Sequence, residues 1–160
     1  MKGRTIRKAE TELELRMILP LARAFTSQEN VVCGLDEEHW VKGWMNRLRA
    51  PDWAVVLYSY SDDDVSIPAK ITGAIGGYLF NDPNDNVLSA KEAFWFMDPR
   101  SRGHGRALFA AFEAWAIEHG ARRIWMVRLD GFREHAMDSL YTRRGYVPIE
   151  RAFCKEIEEP

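Results

Sequence analysis

The sequence predicts an α/β (α+β) fold: one sheet with helices on both faces. Three observations carry that expectation. At 160 residues the chain has the length of one compact domain, read as a single unit over 1–160. The element order reads β-α-α-β-β-β-α-β-α-β(β). The three central strands are joined by turns too short for a crossover helix, so they form an antiparallel meander.

Taken in order, Thr5 to Ala9 is a short first strand. Thr11 caps a helix, with Glu14 three residues on completing a capping box. Leu13, Met17, Leu21, Ala24 and Phe25 recur at helical spacing, and Pro20 should kink or break the run. Residues 26–35 read as a loop. Asp36 opens a second helix with Glu37 and Glu38 at its positive end and Trp40, Val41, Trp44, Met45 and Leu48 on one stripe. Strands follow at 53–60, 69–80 and 87–97, rich in β-branched and aromatic residues. Asp62 to Asp64 and Asn81 to Asp85 supply turns. A helix from Gly105 to His119 stops at Gly120, and a short strand covers 123–129. Residues 132–143 form a last helix, stopped at Gly145, and 146–157 close the chain as one or two strands.

The composition is that of a folded protein, with 46% hydrophobic and 29% charged residues. The net charge of −2 argues against a nucleic-acid binder. That average hides a gradient: residues 1–97 sum to −3 and residues 98–151 to +3, with all ten basic residues of the second block being Arg. An Arg surplus suits a phosphate-bearing ligand, although composition alone favours a solvated helix face. Two cysteines, Cys33 and Cys154, make no disulfide framework and read as buried thiols. The four histidines are scattered, so no metal site is expected. There is no apolar signal segment and no run near the roughly 18–20 residues that span a bilayer, so a cytoplasmic location with no membrane partner is expected.

The informative stretch is Asp98 to Leu108, between a strand and a helix. Helix N-termini carry unpaired N–H groups and partial positive charge. Gly103, Gly105 and Ala107 are small at every second position, and Arg102 and Arg106 add charge. This suits a phosphate or pyrophosphate. A P-loop is excluded because no Lys-Ser/Thr pair follows, and a dinucleotide fingerprint because Leu108 fills the third small position.

Arg102-Gly-His-Gly105-Arg-Ala107 resembles the R/Q-x-x-G-x-G/A signature of the GNAT N-acetyltransferase superfamily. The upstream "FMDPRSRG" and the downstream Leu140-Tyr141-Thr-Arg-Arg-Gly145-Tyr146 are similar to that family's flanking segments. The resemblance implies a mixed, mostly antiparallel sheet and acetyl-CoA as co-substrate. Backbone N–H groups of Gly103, His104, Gly105, Arg106 and Ala107 would hold the pyrophosphate, with Arg102 and Arg106 in electrostatic support. The strand near Phe96 and Met97 would splay from "RIWMV", and the pantetheine arm would pair in the gap. Two positions depart from the family pattern: Glu134 stands seven before Tyr141, where Asn is common, and Met137 four before, where Ala is usual.

Transfer to an amine needs a neutral nucleophile and a protonated leaving thiolate. Tyr141 matches the family's general acid, and a phenol, titrating near about 10, stays protonated at neutral pH. Glu92 is a carboxylate within an apolar strand, on the face that strict alternation shares with Phe94 and Phe96. It is either the general base or an edge-exposed residue paired with Lys91 or Lys70. The acceptor site would form from the first two helices, their loop and the third-strand face, with Phe25, Trp40 and Trp44 available to line it. The acidic front half would suit a cationic acceptor. The competing readings are a non-catalytic acyl-CoA-binding module and an Arg-rich nucleic-acid contact through Arg122, Arg123, Arg143 and Arg144. Exposed aromatics and the C-terminal strands leave room for a homodimer.

Overall fold

The computed structural model describes residues 4–28, 34–61, 70–101, 103, 105–129 and 133–157. The chain divides into two compact units, Met1–Val127 and Arg128–Pro160. The first holds β1 (Arg4–Lys8), α1 (Glu12–Thr26), α2 (Glu37–Leu48), β2 (Ala54–Ser61), β3 (Ile71–Asn81), β4 (Leu88–Met97), α3 (Gly105–Glu118) and β5 (Arg123–Trp125). The second holds α4 (Glu134–Arg143).

The sheet order is β1-β2-β3-β4-β5. The first three pairings are antiparallel, and β5 joins β4 in parallel after the α3 crossover. Helices cover both faces of this sheet. Leu15, Ile18, Leu19 and Ala22 of α1 and Val41 and Trp44 of α2 pack with Val56, Tyr58, Phe94 and Phe96. On the other face Leu108, Phe112, Trp115 and Ala116 of α3 pack with Val55, Leu57, Ile75 and Ala90. The alternation Val55/Val56/Leu57/Tyr58 between the two cores is the period of a strand buried on both sides.

The capping box forms as expected: Glu14 N donates to Thr11 Oγ1 at 3.3 Å, and Thr11 N donates to Glu14 Oε2 at 3.0 Å. The break expected at Pro20 does not occur, and α1 runs through it. Pro20 is exposed, so the carbonyl that loses its helical donor lies on the solvent side, while the apolar face stays packed.

One irregularity shapes the sheet. Gly76 faces Phe94 but Gly77 faces Glu92, so Ala93 is an extra residue on β4. The bulge reverses the facing of the strand. Phe94 and Phe96 point to the α1/α2 core, whereas Ala90 points to the α3 core. It also interrupts the alternation that would align Glu92 with Phe94. Glycine is required on the partner strand, because a Cβ at Gly76 would lie 2.6 Å or closer to two Phe94 ring carbons, and one at Gly77 would sit 2.4 Å from the Lys91 carbonyl oxygen.

Three expectations are corrected. The last strand of this sheet ends at Trp125, not 129, because its partner diverges. Residues 146–157 form no strand, and Val147, Ile149, Phe153 and Ile157 are exposed. A strand needs a paired neighbour, and Pro148 has no N–H to donate. Cys154 is exposed rather than buried, and Cys33 lies outside the described residues, as does the Asp62 to Asp64 turn. We predict that Gly77→Ala lowers stability by about 1–3 kcal/mol, the usual cost of forced overpacking, read as a fall in the urea midpoint.

Candidate active site

The site begins where β4 and β5 part. Their pairing runs Ser89–Arg123, Ala90–Ile124, Lys91–Trp125 and then stops. Among the described residues no strand pairs with this edge of β4 from Glu92 to Met97. At the root of the gap Val127 N donates to Glu92 Oε2 at 3.0 Å, so a side chain stands where a strand carbonyl would otherwise be.

Glu92 is only 5% exposed, which removes the edge-exposed alternative, and Lys70 bonds Asp98 instead (3.1 Å). Burial pushes its carboxyl up to about 7, against the lowering pull of the Val127 N–H and of Lys91. A carboxyl poised there can take or give a proton near neutrality.

At the other end of the gap Asp98 fixes the loop. Its N–H donates to the Thr72 carbonyl at 3.0 Å. Its carboxylate accepts from Arg100 N at 3.0 Å and Arg100 Nε at 3.1 Å. The Arg100 contact, with help from Lys70, holds this carboxyl down at about 2. Gly103 follows with φ +87°, a backbone form that favours glycine, and a Cβ there would meet nothing. Arg102 and His104 lie outside the described residues.

Helix α3 then starts at Gly105. By helical geometry its first N–H groups have no partner within the helix, and its first turn carries no acidic residue. Arg106 and Ala107 are exposed there. Phe96 is buried, stacked on Phe94 at 4.7 Å. Met97 packs toward α3, beside Gly73 and Gly105.

Among the described residues the indole N–H groups of Trp95, Trp115 and Trp125 are buried without a hydrogen-bond partner, and the first lies nearest the α3 start. The Trp95 ring carbon Cζ2 lies 3.1 Å from where a Gly105 Cβ would be, so Gly105 leaves room between that ring and the helix start. The tryptophan falls in the third strand's apolar run, and nothing in the sequence separates it from a core residue. An open glycine turn and a helix start free of acidic side chains together fit an anionic, hydrogen-bond-accepting ligand such as a pyrophosphate.

The second unit carries Tyr141 on α4. The helix ends in a Schellman motif: Gly145 N (φ +86°) donates to the Thr142 carbonyl and Tyr146 N to that of Tyr141, both at 3.0 Å. The Tyr141 and Tyr146 rings sit 5.8 Å apart, the apolar contact that accompanies such a cap. Glu134 pairs with Arg128 at 3.2 Å. His135 is exposed on the same helix.

Among the described residues no His, Cys, Asp or Glu cluster could hold a metal ion, and no helix is long and apolar enough to cross a membrane. Several arginines of the basic block are paired, Arg123 with Asp85, Arg100 with Asp98 and Arg128 with Asp138.

The chain belongs to the acetyltransferase (GNAT) family, whose sequence model matches residues 22–146. No curated protein is significantly similar to it in sequence. Among solved structures it resembles glucosamine-6-phosphate N-acetyltransferase from Arabidopsis thaliana, with a TM-score of 0.73, 12% identity, and 98% of this chain and 100% of that one covered. It also resembles AAC(6')-Iy in complex with a bisubstrate analogue, CoA-S-monomethyl-acetylneamine (0.69, 17% identity, 98% and 99% covered). A third is the ribosomal-protein-alanine N-acetyltransferase of Brucella melitensis biovar Abortus 2308 (0.68, 11%, 98% and 100%). At these identities the likeness is one of fold.

The raised Glu92 carboxyl has a consequence for stability. The folded state holds this proton more tightly than the unfolded chain, whose carboxyl titrates near 4.5. Its contribution is complete below about pH 4.5 and is lost as pH rises to about 7, a change on the order of 3 kcal/mol. Urea unfolding at pH 5 and pH 8 should show Glu92→Gln losing less stability across this interval than the parent.

Proposed function

We propose that the whole chain acts as one acetyl-CoA-dependent N-acetyltransferase domain that moves the acetyl group to a primary amine by direct attack. The observation that carries this reading is the β4 edge from Glu92 to Met97, which no strand pairs among the described residues, with the buried Glu92 at its root and the α3 start at its end. The family match supports an acetyltransferase, and a CoA-based bisubstrate analogue sits in a protein of similar fold.

In this reading the pyrophosphate lies on the N–H groups from Gly103 through His104, Gly105 and Arg106 to Ala107. Arg102 and Arg106 add charge. The pantetheine amides pair along the backbone near Phe96 and Met97. Glu92 accepts the proton the amine must lose, directly or through water. The amine nitrogen forms its bond to the thioester carbon, the C–S bond breaks, and the Tyr141 phenol protonates the departing thiolate. A base near pH 7 and a phenol that stays protonated are suited to these opposite tasks.

Two measurements test the assignments. Gly105→Glu places a carboxylate at the helix start and should abolish acetyl-CoA binding by calorimetry; undiminished binding rejects the loop as the phosphate site. Tyr141→Phe should lower kcat about tenfold or more while leaving the acetyl-CoA Kd unchanged. An unaltered kcat, where chemistry limits turnover, removes Tyr141 from the mechanism.

A further inference from the structure

The turn from β4 to α3 holds a buried carboxylate that takes no part in the proton chemistry. Asp98 sits where β4 ends and is almost fully enclosed. A charged group in that position is costly unless its lone pairs are met. Here they are met. Oδ1 accepts from the Arg100 backbone N–H at 3.0 Å and from Arg100 Nε at 3.1 Å. Oδ2 accepts from Arg100 Nη2 at 3.2 Å and from Lys70 Nζ at 3.1 Å.

These contacts tie the chain leaving β4 to the start of β3. Lys70 directly precedes β3. The Asp98 N–H donates to the Thr72 carbonyl at 3.0 Å, one step beyond the last β3–β4 pair, Gly73–Met97. Pro99 has no N–H, so Arg100 brings the first backbone donor after Asp98, and the carboxylate takes it. The Ser101 N–H then closes on the Asp98 carbonyl at 2.9 Å. Gly103 and the α3 start at Gly105 follow. β3 makes room for that helix as well: a Cβ at Gly73 would lie 2.8 Å or closer to Met97 Sδ and Leu108 Cδ1.

Charge gives Asp98 no reason to stand here. A carboxylate in a turn that leads to an anion site repels the anion, and it also occupies two cations. By charge alone its loss would strengthen the binding of a pyrophosphate. Its geometry is what favours such a ligand.

Building on the acetyl-CoA reading, we infer that Asp98 is the positioning residue of the phosphate turn: it clamps the chain leaving β4 to the start of β3 and so holds the N–H groups at the α3 start in place for the pyrophosphate. It touches neither the co-substrate nor the acceptor. A donor set fixed in advance lowers the ordering cost of binding. Asp98 therefore acts on the affinity for the phosphate end of acetyl-CoA.

The test is calorimetry with acetyl-CoA on Asp98→Ala and Asp98→Asn, each checked for its fold by near-ultraviolet circular dichroism. Asp98→Ala removes all the side-chain contacts and should raise the acetyl-CoA Kd about tenfold or more. Asp98→Asn keeps an oxygen for the Arg100 N–H and should raise it only about two- to fivefold. Binding of S-acetylpantetheine, which lacks the pyrophosphate, should change less than about twofold in either variant. An acetyl-CoA Kd unchanged or lowered in Asp98→Ala overturns the inference, since that is the outcome of charge alone. An equal loss for acetylpantetheine also overturns it, because the effect is then not confined to the phosphate turn. If Asp98→Ala does not fold, the direction of change in Asp98→Asn decides in the same way. All of these outcomes leave the acetyl-CoA reading standing, whereas a parent protein that binds no acetyl-CoA overturns both.

Discussion

The hydrogen bond from Val127 N to Glu92 Oε2 is the contact around which the site is organised. A parallel strand pair continues as long as each N–H finds a carbonyl across the gap. Here the carboxylate at position 92 takes the next N–H, and the two strands need not stay in register beyond Lys91 and Trp125. One side chain thus ends the ladder, satisfies the backbone group that ending it leaves over, and places a titratable oxygen at the root of the opening. The cost is a carboxyl buried with little charge compensation, which is why it holds its proton to about pH 7.

The glycine pair on β3 makes this possible from the other side of the strand. An extra residue on β4 can be absorbed only if its partner yields space, and Gly76 and Gly77 have no Cβ to collide with the Phe94 ring and the Lys91 carbonyl. The bulge then sorts the aromatic side chains. Trp95 and Met97 go toward α3 and the helix start, while Phe94 and Phe96 go toward α1 and α2. One face meets the α3 start and the other the aromatic side chains of the α1/α2 core, a division that a regular strand with the same residues would reverse on one side of the bulge.

Elements whose signals are local were legible in the sequence. The capping box, the Asp36 cap, the meander and the Gly120 and Gly145 stops all lie within a residue or two of where periodicity and turn chemistry put them. The start of α3 at Gly105 and the left-handed Gly103 before it lie where the glycines between strand and helix put them. What failed depended on partners. The expectation for 123–129 rested on β propensity, and the strand ends at Trp125 because β4 leaves it. The same propensity over 146–157 found no strand to pair with among the described residues. Glu92 could not be decided from its neighbours in sequence, because its burial and its hydrogen bond come from Val127, 35 positions on. The orphaned Trp95 N–H was invisible for the same reason.

Charge shows most plainly why composition is a weak guide to a site. The acidic and basic halves of the chain suggest two opposed surfaces, yet the charges are largely spent within the fold. Arg16 pairs with Glu12 and Glu38 and Arg23 with Glu37 on α1 and α2, and Asp85 and Asp98 hold Arg123 and Arg100. Most of these pairs are exposed and worth little for stability, but each removes a charge from the field a ligand would meet. At the α3 start the accounting differs: Arg106 is exposed and no acidic side chain shares its turn. An anion there meets the helix N–H groups and a guanidinium together. The chain as a whole carries a net charge of −2, so the positive character of this turn comes from which arginine is left exposed and not from the overall composition.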